Sequence, residues 1–261
     1  MRLAVVFLLV EFTLVLIAPL IAPHDPMQTD VAAQFQPPSS EHLLGTDMLG
    51  RDVFSRILYG GQRTLVTAVS ATVAAVILGT LLGLASSVSN PWLSRSIRVF
   101  IEALLAFPSL LVAFVVLTVL GAGQTSLAVA VGFVSIAPYA QVTHSSIVST
   151  RSAHYVEAAK AVGATDWQVL WRHIIPNIQF TLLAYAGVTF AYSLLNSAAL
   201  SFLGLGGEPG IADWGVMLWE GRGAFRAAPW ISFVPGFAIS ATVLTMNALI
   251  KRSRIHTYYF A

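Results

Sequence analysis

Cysteine is absent from all 261 residues, and only 10% of them are charged. The first absence excludes disulfides, thiol catalysis and Cys-based metal sites. The second excludes more. Soluble domains carry about 25% charged residues, and a water-facing surface needs more charge than this chain has. An excess of either sign is missing too. The 14 basic and 12 acidic residues leave a net charge of +2, too small to argue for nucleic acid as a partner. What the chain does have is apolar mass, at 56% of its residues. Intrinsic disorder is thereby excluded, since it needs low hydrophobicity. The composition is that of a polytopic membrane protein, with lipid as a partner for much of its surface.

Six apolar segments stand out, at 3–22, 65–86, 99–120, 127–148, 178–202 and 231–250. Each is near the ~20 residues that cross the hydrocarbon core as a helix. Helices are expected because lipid offers the backbone no hydrogen-bond partner. The alternating pattern of a membrane barrel is missing. The expected fold class is an all-α membrane protein with six transmembrane helices. The first segment is longer than the apolar region of a signal peptide and carries Glu11 in its middle. With Ala22 at −1 of a cleavage site, Leu20 would sit at −3, a poor match. An uncleaved anchor helix is therefore expected over 1–22. A loop over 23–64 follows, then a core over 65–250 and a tail over 251–261.

Orientation follows from the basic residues of short loops. One side holds Arg2, Arg95, Arg98, Arg151, Lys160, Arg172, Lys251, Arg252 and Arg254. The other holds Arg51, Arg56, Arg63, Arg222 and Arg226. The asymmetry is nine against five, which places both termini and the stretch 149–177 in the cytoplasm. The loops 23–64 and 203–230 are expected outside.

The stretch 149–177 reads STRSAHYVEAAKAVGATDWQVLWRHIIPN. Tyr155, Ala158, Ala159 and Val162 fall on one helical face. Gly163 stands where a helix stop is expected, and Thr165 with Gln168 matches a capping box for a second helix. Trp167, Leu170, Trp171 and Ile174 repeat the apolar spacing, and Pro176 is expected to end the unit. Two short amphipathic helices joined by a glycine turn are the result. Their apolar faces need cover. Bilayer, the chain's own spans, or a groove on a soluble partner would each supply it.

Here a resemblance enters. Glu157, Ala158, Ala159 and Gly163 match E-A-A-x-x-x-G, which resembles the EAA loop of ABC-importer permeases. His173, Ile174, Ile175 and Pro176 occupy the place where that pattern closes on I-x-L-P, with histidine and isoleucine as departures. HLLGTDMLGRDVFSRILYGGQRTL over 42–65 is similar to the H-x-LGTD-x-LGRD-x-x-SR signature of the peptide and nickel branch. SFLGLGGEPGIADWGVMLWEGR over 201–222 is similar to its SFLGLG…EWG-x-M-x-x-GR signature, with Asp213 in the acidic place. The ending Lys251-Arg252-Ser253-Arg254-Ile255-His256 departs from the GD-x-LRD-x-LDPR-like tail of the branch.

The resemblance implies a type I ABC-importer transmembrane domain in a prokaryotic inner membrane. It implies the second permease of a five-part machine: two different permeases, two ATP-binding subunits and an extracytoplasmic solute-binding protein. The cargo of such machines is peptides, nickel or metal chelates. The resemblance assigns ATPase coupling to Glu157, Ala158, Ala159, Gly163, Trp167 and Pro176. It implies no cofactor or metal on this chain. In agreement, no G-x-x-x-x-G-K-S/T loop is present to cradle phosphates; the nearest glycine-rich stretch, 204–210, has no Lys or Ser/Thr after it.

Several residues outside these blocks carry expectations. Glu11 and Glu102 are acids within spans, which are functional candidates by default. Glu102 follows Arg98 by four residues, so an ion pair along the helix is expected. Glu11 has no partner visible in the sequence and could face a neighbouring subunit. None of His24, His42 and His144 has close metal-ligand spacing to another histidine. Pro108 and Pro138 are expected kinks. Gly79 and Gly83 make a small-x-x-x-small face suited to close helix packing. Residues 47–56 mix acids and bases at helical spacing. They read either as an internally paired surface helix or as a contact for the binding protein or the sister permease. Trp214, Trp219 and Trp230 are expected at the outer interface. Two rival functions fit these features less well. A stand-alone channel or ion-coupled carrier expects charges along a path or inverted repeats, and an intramembrane enzyme expects a nucleophile–base pair. Neither accounts for the helical hairpin.

Overall fold

Proline placement decides where the apolar segments become continuous helices and where they break. The computed structural model describes residues 2–87, 90–206 and 210–259, excepting the side chains at 2 and 252–259. The basic residues Arg2, Arg252 and Arg254 and residues 207–209 of the glycine-rich stretch thus lie outside what is described. The described residues form eleven α-helices, a 3-10 turn at Val31–Ala33 and a π-helix at Leu170–Ile174, with no β-strand.

The expected anchor over 3–22 is two pieces, α1 (Arg2–Leu16) and α2 (Ala18–Ile21). Pro19 has no N–H to give to the carbonyl four residues back, at Val15. That carbonyl is satisfied instead by Gln62 Nε2, at 2.9 Å. At 15 residues, α1 alone spans about 22 Å, and α2 extends the segment toward the ~30 Å of the hydrocarbon core.

The next helix, α3 (Val53–Ala85), starts well inside the expected loop. Asp52 caps it, its carboxylate accepting from Ser55 N at 2.7 Å. Its 33 residues reach about 50 Å, so its first turns project beyond a bilayer. The third apolar segment breaks into α4 (Pro91–Ala106) and α5 (Ser109–Leu120), bent by 95°. The cause is Pro108: it holds the residue before it in extended backbone, and Phe107 has φ −94° and ψ 141°. The helices α6 (Gln124–Arg151), α9 (Ile175–Phe202) and α11 (Trp230–Tyr259) follow the sequence expectation, and α6 runs on through Pro138. By length and composition, four described helices can cross a membrane, or five if the bent pair is one span. The shorter apolar helix α1 stands beside these as the sixth apolar segment, below that length.

The bundle is organised on α3, whose main neighbour is α6. Ala68, Ala71, Ala75, Gly79 and Gly83 recur every three or four residues and are all buried. A Cβ at Gly83 would lie 2.5 Å from Thr143 Cβ, and one at Gly79 would lie 2.7 Å from Tyr139 Cβ. The small-residue face is therefore the α3–α6 seam, where backbones approach because side chains are missing. Glu11 turns toward α11 of its own chain, accepting a hydrogen bond from Thr242 Oγ1. The expected Arg98–Glu102 pair is not formed. Both side chains are exposed on α4, and a helix-surface pair holds only about 0.3–0.5 kcal/mol.

Candidate functional site

At one end of the bundle the chain between α6 and α9 folds into the expected hairpin. Its first arm is α7 (His154–Ala161), which contains Glu157, Ala158 and Ala159. The arm ends in a Schellman turn: Ala164 N donates to Ala159 O at 3.1 Å, and Gly163 N to Lys160 O at 3.0 Å. Gly163 has φ +93°, and the space where its Cβ would be is open. Backbone conformation, not crowding, is what demands glycine there. The second arm begins with the capping box, Thr165 N donating to Gln168 Oε1 and Gln168 N to Thr165 Oγ1. It comprises α8 (Asp166–Val169), which contains Trp167, and then the π-helix.

Pro176 does not end the unit. The wider i→i+5 ladder of the π-helix, with Ile175 N donating to Leu170 O, opens the helix where the proline ring would crowd a regular turn. Helical structure therefore continues without a break from Asp166 to Phe202. The second arm is the end of a rod that runs through the bundle.

Of the three covers open to the apolar faces of the hairpin, the chain's own spans supply only a part. The arms are held to the bundle by Val156, Val169 and Ile174, which pack with Ile147 and Ile178 and against Leu84 and Leu182. Of the expected apolar face, Ile174 alone is fully buried. Tyr155 and Ala158 are exposed, as are Trp171 and especially Val162 and Trp167, at 86% and 67%. Trp167 and Trp171 stack edge to face, with ring centres 5.4 Å apart. The bundle does not cover this stripe. Charge is treated the same way. Glu157 makes only a loose contact with His154, at 3.7 Å, and it is Lys160 that ties across the turn, to Asp166 Oδ1 at 2.9 Å.

At the other end, the charged side chains of 47–56 are internally paired, but inside the fold rather than on a surface helix. Asp47, Arg51 and Arg56 are all at most 2% exposed. Arg51 donates to Asp47 Oδ2 at 2.6 Å and to Glu220 Oε2 at 2.9 Å; Arg56 reaches Glu220 Oε2 at 2.7 Å. Both guanidinium groups also donate to Gly210 O. Two cations and two carboxylates thus make a neutral, hydrogen-bonded clasp, the arrangement under which buried charge is tolerated. Glu220 comes from α10 (Trp214–Gly221), in the second signature block. The two blocks meet again at Asp213, which caps α10 through Gly215 N and accepts from Thr64 Oγ1 at 2.9 Å. Burial pushes the Asp213 carboxyl up from its ordinary range, and the bonds from Thr64, Val216 and Gly215 oppose this. Trp214 belongs to this core rather than to an interface: it is 1% exposed and donates to Ile57 O. Trp230 is half-buried and donates to Thr46 O. Trp219 is exposed under Arg222. His144 is held by Ser86 and Ser87, at 2.9 and 3.0 Å, a structural role.

The helical bundle built on a small-residue seam, with a helical hairpin at one end, has the fold of type I ABC-importer transmembrane domains. The fold is similar to that of the MetNI methionine ABC transporter in an inward-facing conformation, with TM-score 0.62 and 14% identity over 77% of this chain and 97% of that one. It is also similar to an amino acid ABC transporter, with TM-score 0.60 and 19% identity over 76% and 92%. The chain belongs to the family of binding-protein-dependent transport system inner membrane components, whose pattern it matches over residues 52–254. Residues 2–38 match the N-terminal TM domain of oligopeptide transport permease C. Among its relatives, the dipeptide transport system permease protein DppC of Alkalihalophilus pseudofirmus is 34% identical over 95% of this chain and 83% of that protein. The glutathione transport system permease protein GsiD of Pectobacterium atrosepticum is 37% identical over 81% and 70%. As a family member, the chain is a multi-pass inner-membrane permease component that serves a solute-binding protein and ATP-binding subunits.

Proposed function

We propose that this chain is one of two homologous permeases that together form the translocation path of a short-peptide importer. Two ATP-binding subunits drive it, and an extracytoplasmic binding protein delivers the peptide. Peptide cargo is supported by the relatives, which include dipeptide, di/tripeptide and glutathione permeases. In this reading the chain hydrolyses no ATP itself. Glu157, Ala158, Ala159, Gly163, Trp167 and Pro176 belong to the element that receives motion from an ATP-binding subunit.

The observation that carries the reading is the uncovered stripe of the hairpin. Val162, Trp167 and Trp171 stand out of the bundle, while Val156, Val169 and Ile174 anchor the arms to it. A helix laid into a groove on a partner is a known mode of recognition. The second arm continues into α9, so displacement of the hairpin moves a span rather than bending a loop. Pro176, at the junction, keeps the π segment open.

Gly163→Val tests the coupling. Its backbone has positive φ, so valine is strained there by about 1–2 kcal/mol. Membrane abundance is expected near normal, with uptake abolished and ATP-binding subunit recovery in pull-downs reduced. Unchanged transport by a fully expressed variant overturns the assignment.

Orientation is the second element of the proposal. Both termini and the hairpin are placed in the cytoplasm, and residues 23–52 with the first turns of α3 outside. The chain has no cysteine, so a single one at position 160 is readable with an impermeant thiol reagent. No labelling is expected in intact cells; labelling from outside overturns the orientation.

A further inference from the structure

His24, His42 and Asp52 are far apart in sequence and take no part in the hairpin, yet they meet beside the clasp. One ring nitrogen from each histidine and one carboxylate oxygen of Asp52 lie within 4.8 Å of one another. The two rings are 4.9 Å apart, centre to centre. His42 Nδ1 lies 3.0 Å from Asp52 Oδ1. The other oxygen of Asp52 is already held, accepting from Ser55 N at 2.7 Å and Ser55 Oγ at 2.8 Å. That same Ser55 hydroxyl accepts from His24 N at 3.2 Å. His24 Nε2 sits 3.1 Å from the Glu41 carbonyl. The carboxylate and one histidine backbone are thus oriented by a single buried serine. Outer partners of metal ligands orient them in this way.

We propose that His24, His42 and Asp52 form a binding site for a divalent transition-metal ion of the zinc class, which staples the segment after α2 and the following loop to the start of α3. Two imidazoles and a carboxylate, without sulfur, suit zinc, cobalt or nickel. Metal–ligand bonds of about 2.0–2.2 Å put neighbouring ligand atoms roughly 3.3–3.6 Å apart in a tetrahedron. His42 and Asp52 are already close to that separation. His24, which is only half-buried, closes the rest by rotating its ring. Water completes the shell. A proton and a metal ion compete for the same space: with the proton, His42 and Asp52 are a hydrogen-bonded pair, and with the ion they are co-ligands. The clasp nearby is neutral in sum, so it does not repel a cation.

The full-length protein in detergent, stripped with a chelator and dialysed, is titrated with Co2+ and then with Zn2+. One Co2+ per chain is expected, with the visible absorption of a four-coordinate site, displaced by Zn2+ and accompanied by a rise in thermal midpoint. His24→Gln keeps the His42–Asp52 bond and every other histidine, and is expected to weaken binding by at least about 100-fold, the upper end of the range for outer-partner losses. Ser55→Ala is expected to weaken it by about 10–100-fold. Absence of Co2+ uptake by the wild-type protein, or equal uptake by a His24→Gln protein with an unchanged metal-free thermal midpoint, overturns the site. In either case the three residues are a hydrogen-bonded corner only.

Discussion

The two ends of this molecule handle charge and aromatic surface in opposite ways. At the clasp end, Asp47, Arg51, Arg56 and Glu220 are buried and satisfy one another, and Trp214 is inside the core. At the hairpin end, the Glu157 and Lys160 side chains are 70% and 50% exposed, and Trp167 faces out. The residue types are the same, so composition does not explain the difference. The clasp is an interface the chain completes with itself, across 169 positions between Arg51 and Glu220. In the proposed reading the hairpin is half of an interface. Its inward face is finished by aliphatic packing, and its outward face stays exposed.

The comparison breaks most visibly at the clasp. Glu220→Ala leaves two buried guanidinium groups facing one carboxylate, and loss of one partner from a buried ion network costs about 3–5 kcal/mol. A large drop in thermal midpoint and poor recovery of folded protein are expected. A variant that melts like the wild type would mean that the clasp does not hold the two blocks together.

At the hairpin the same kind of deletion has its effect elsewhere. Trp167→Ala removes an exposed ring, so the stability of the isolated chain is expected to stay within about 0.5 kcal/mol. Affinity for the ATP-binding subunit is expected to fall by about 2 kcal/mol, as for an aromatic anchor. The reverse pattern, a lower melting point with unchanged pull-down, would place Trp167 in the bundle's own packing.

The smallest effect sharpens the picture of the clasp end. Burial raises the Asp213 carboxyl above its ordinary value. The folded state then keeps a proton in a pH range where the unfolded chain has lost it. Stability falls as pH rises through that range, between the ordinary carboxylate value and the raised one. Asp213→Asn keeps an acceptor for Gly215 and Val216, and is expected to remove that slope without loss at neutral pH. Asp213→Ala loses the cap and is expected to cost about 1–2 kcal/mol. Equal pH profiles for the wild type and Asp213→Asn would show that the carboxyl titrates as if exposed.

Much of the hairpin was legible because its signals are local. A positive-φ glycine and a capping box are each decided within a turn or two of chain, and both are formed. The outward direction of the stripe was not legible. Tyr155, Val162 and Trp167 look like core to a periodicity argument, because apolarity alone does not say whose core. Pro176 and Pro108 carry the same local restriction, yet one lies in a continuous rod and the other in a 95° bend. The neighbouring π-helix, which no residue pattern announces, makes the difference.

From the amino-acid order alone came the lipid environment, the apolar segments, the small-residue face of Gly79 and Gly83, and the hairpin with its turn. These depend on composition and on spacings of three or four residues, which act within one helix. Tertiary structure alone decided that Asp47, Arg51 and Arg56 are buried, that His24 and His42 meet, that Glu11 faces Thr242, and which face of the hairpin is free. Each of these depends on pairs separated by tens to hundreds of positions. For such pairs the free energy of contact exists only once the bundle has brought both partners out of water to the same place.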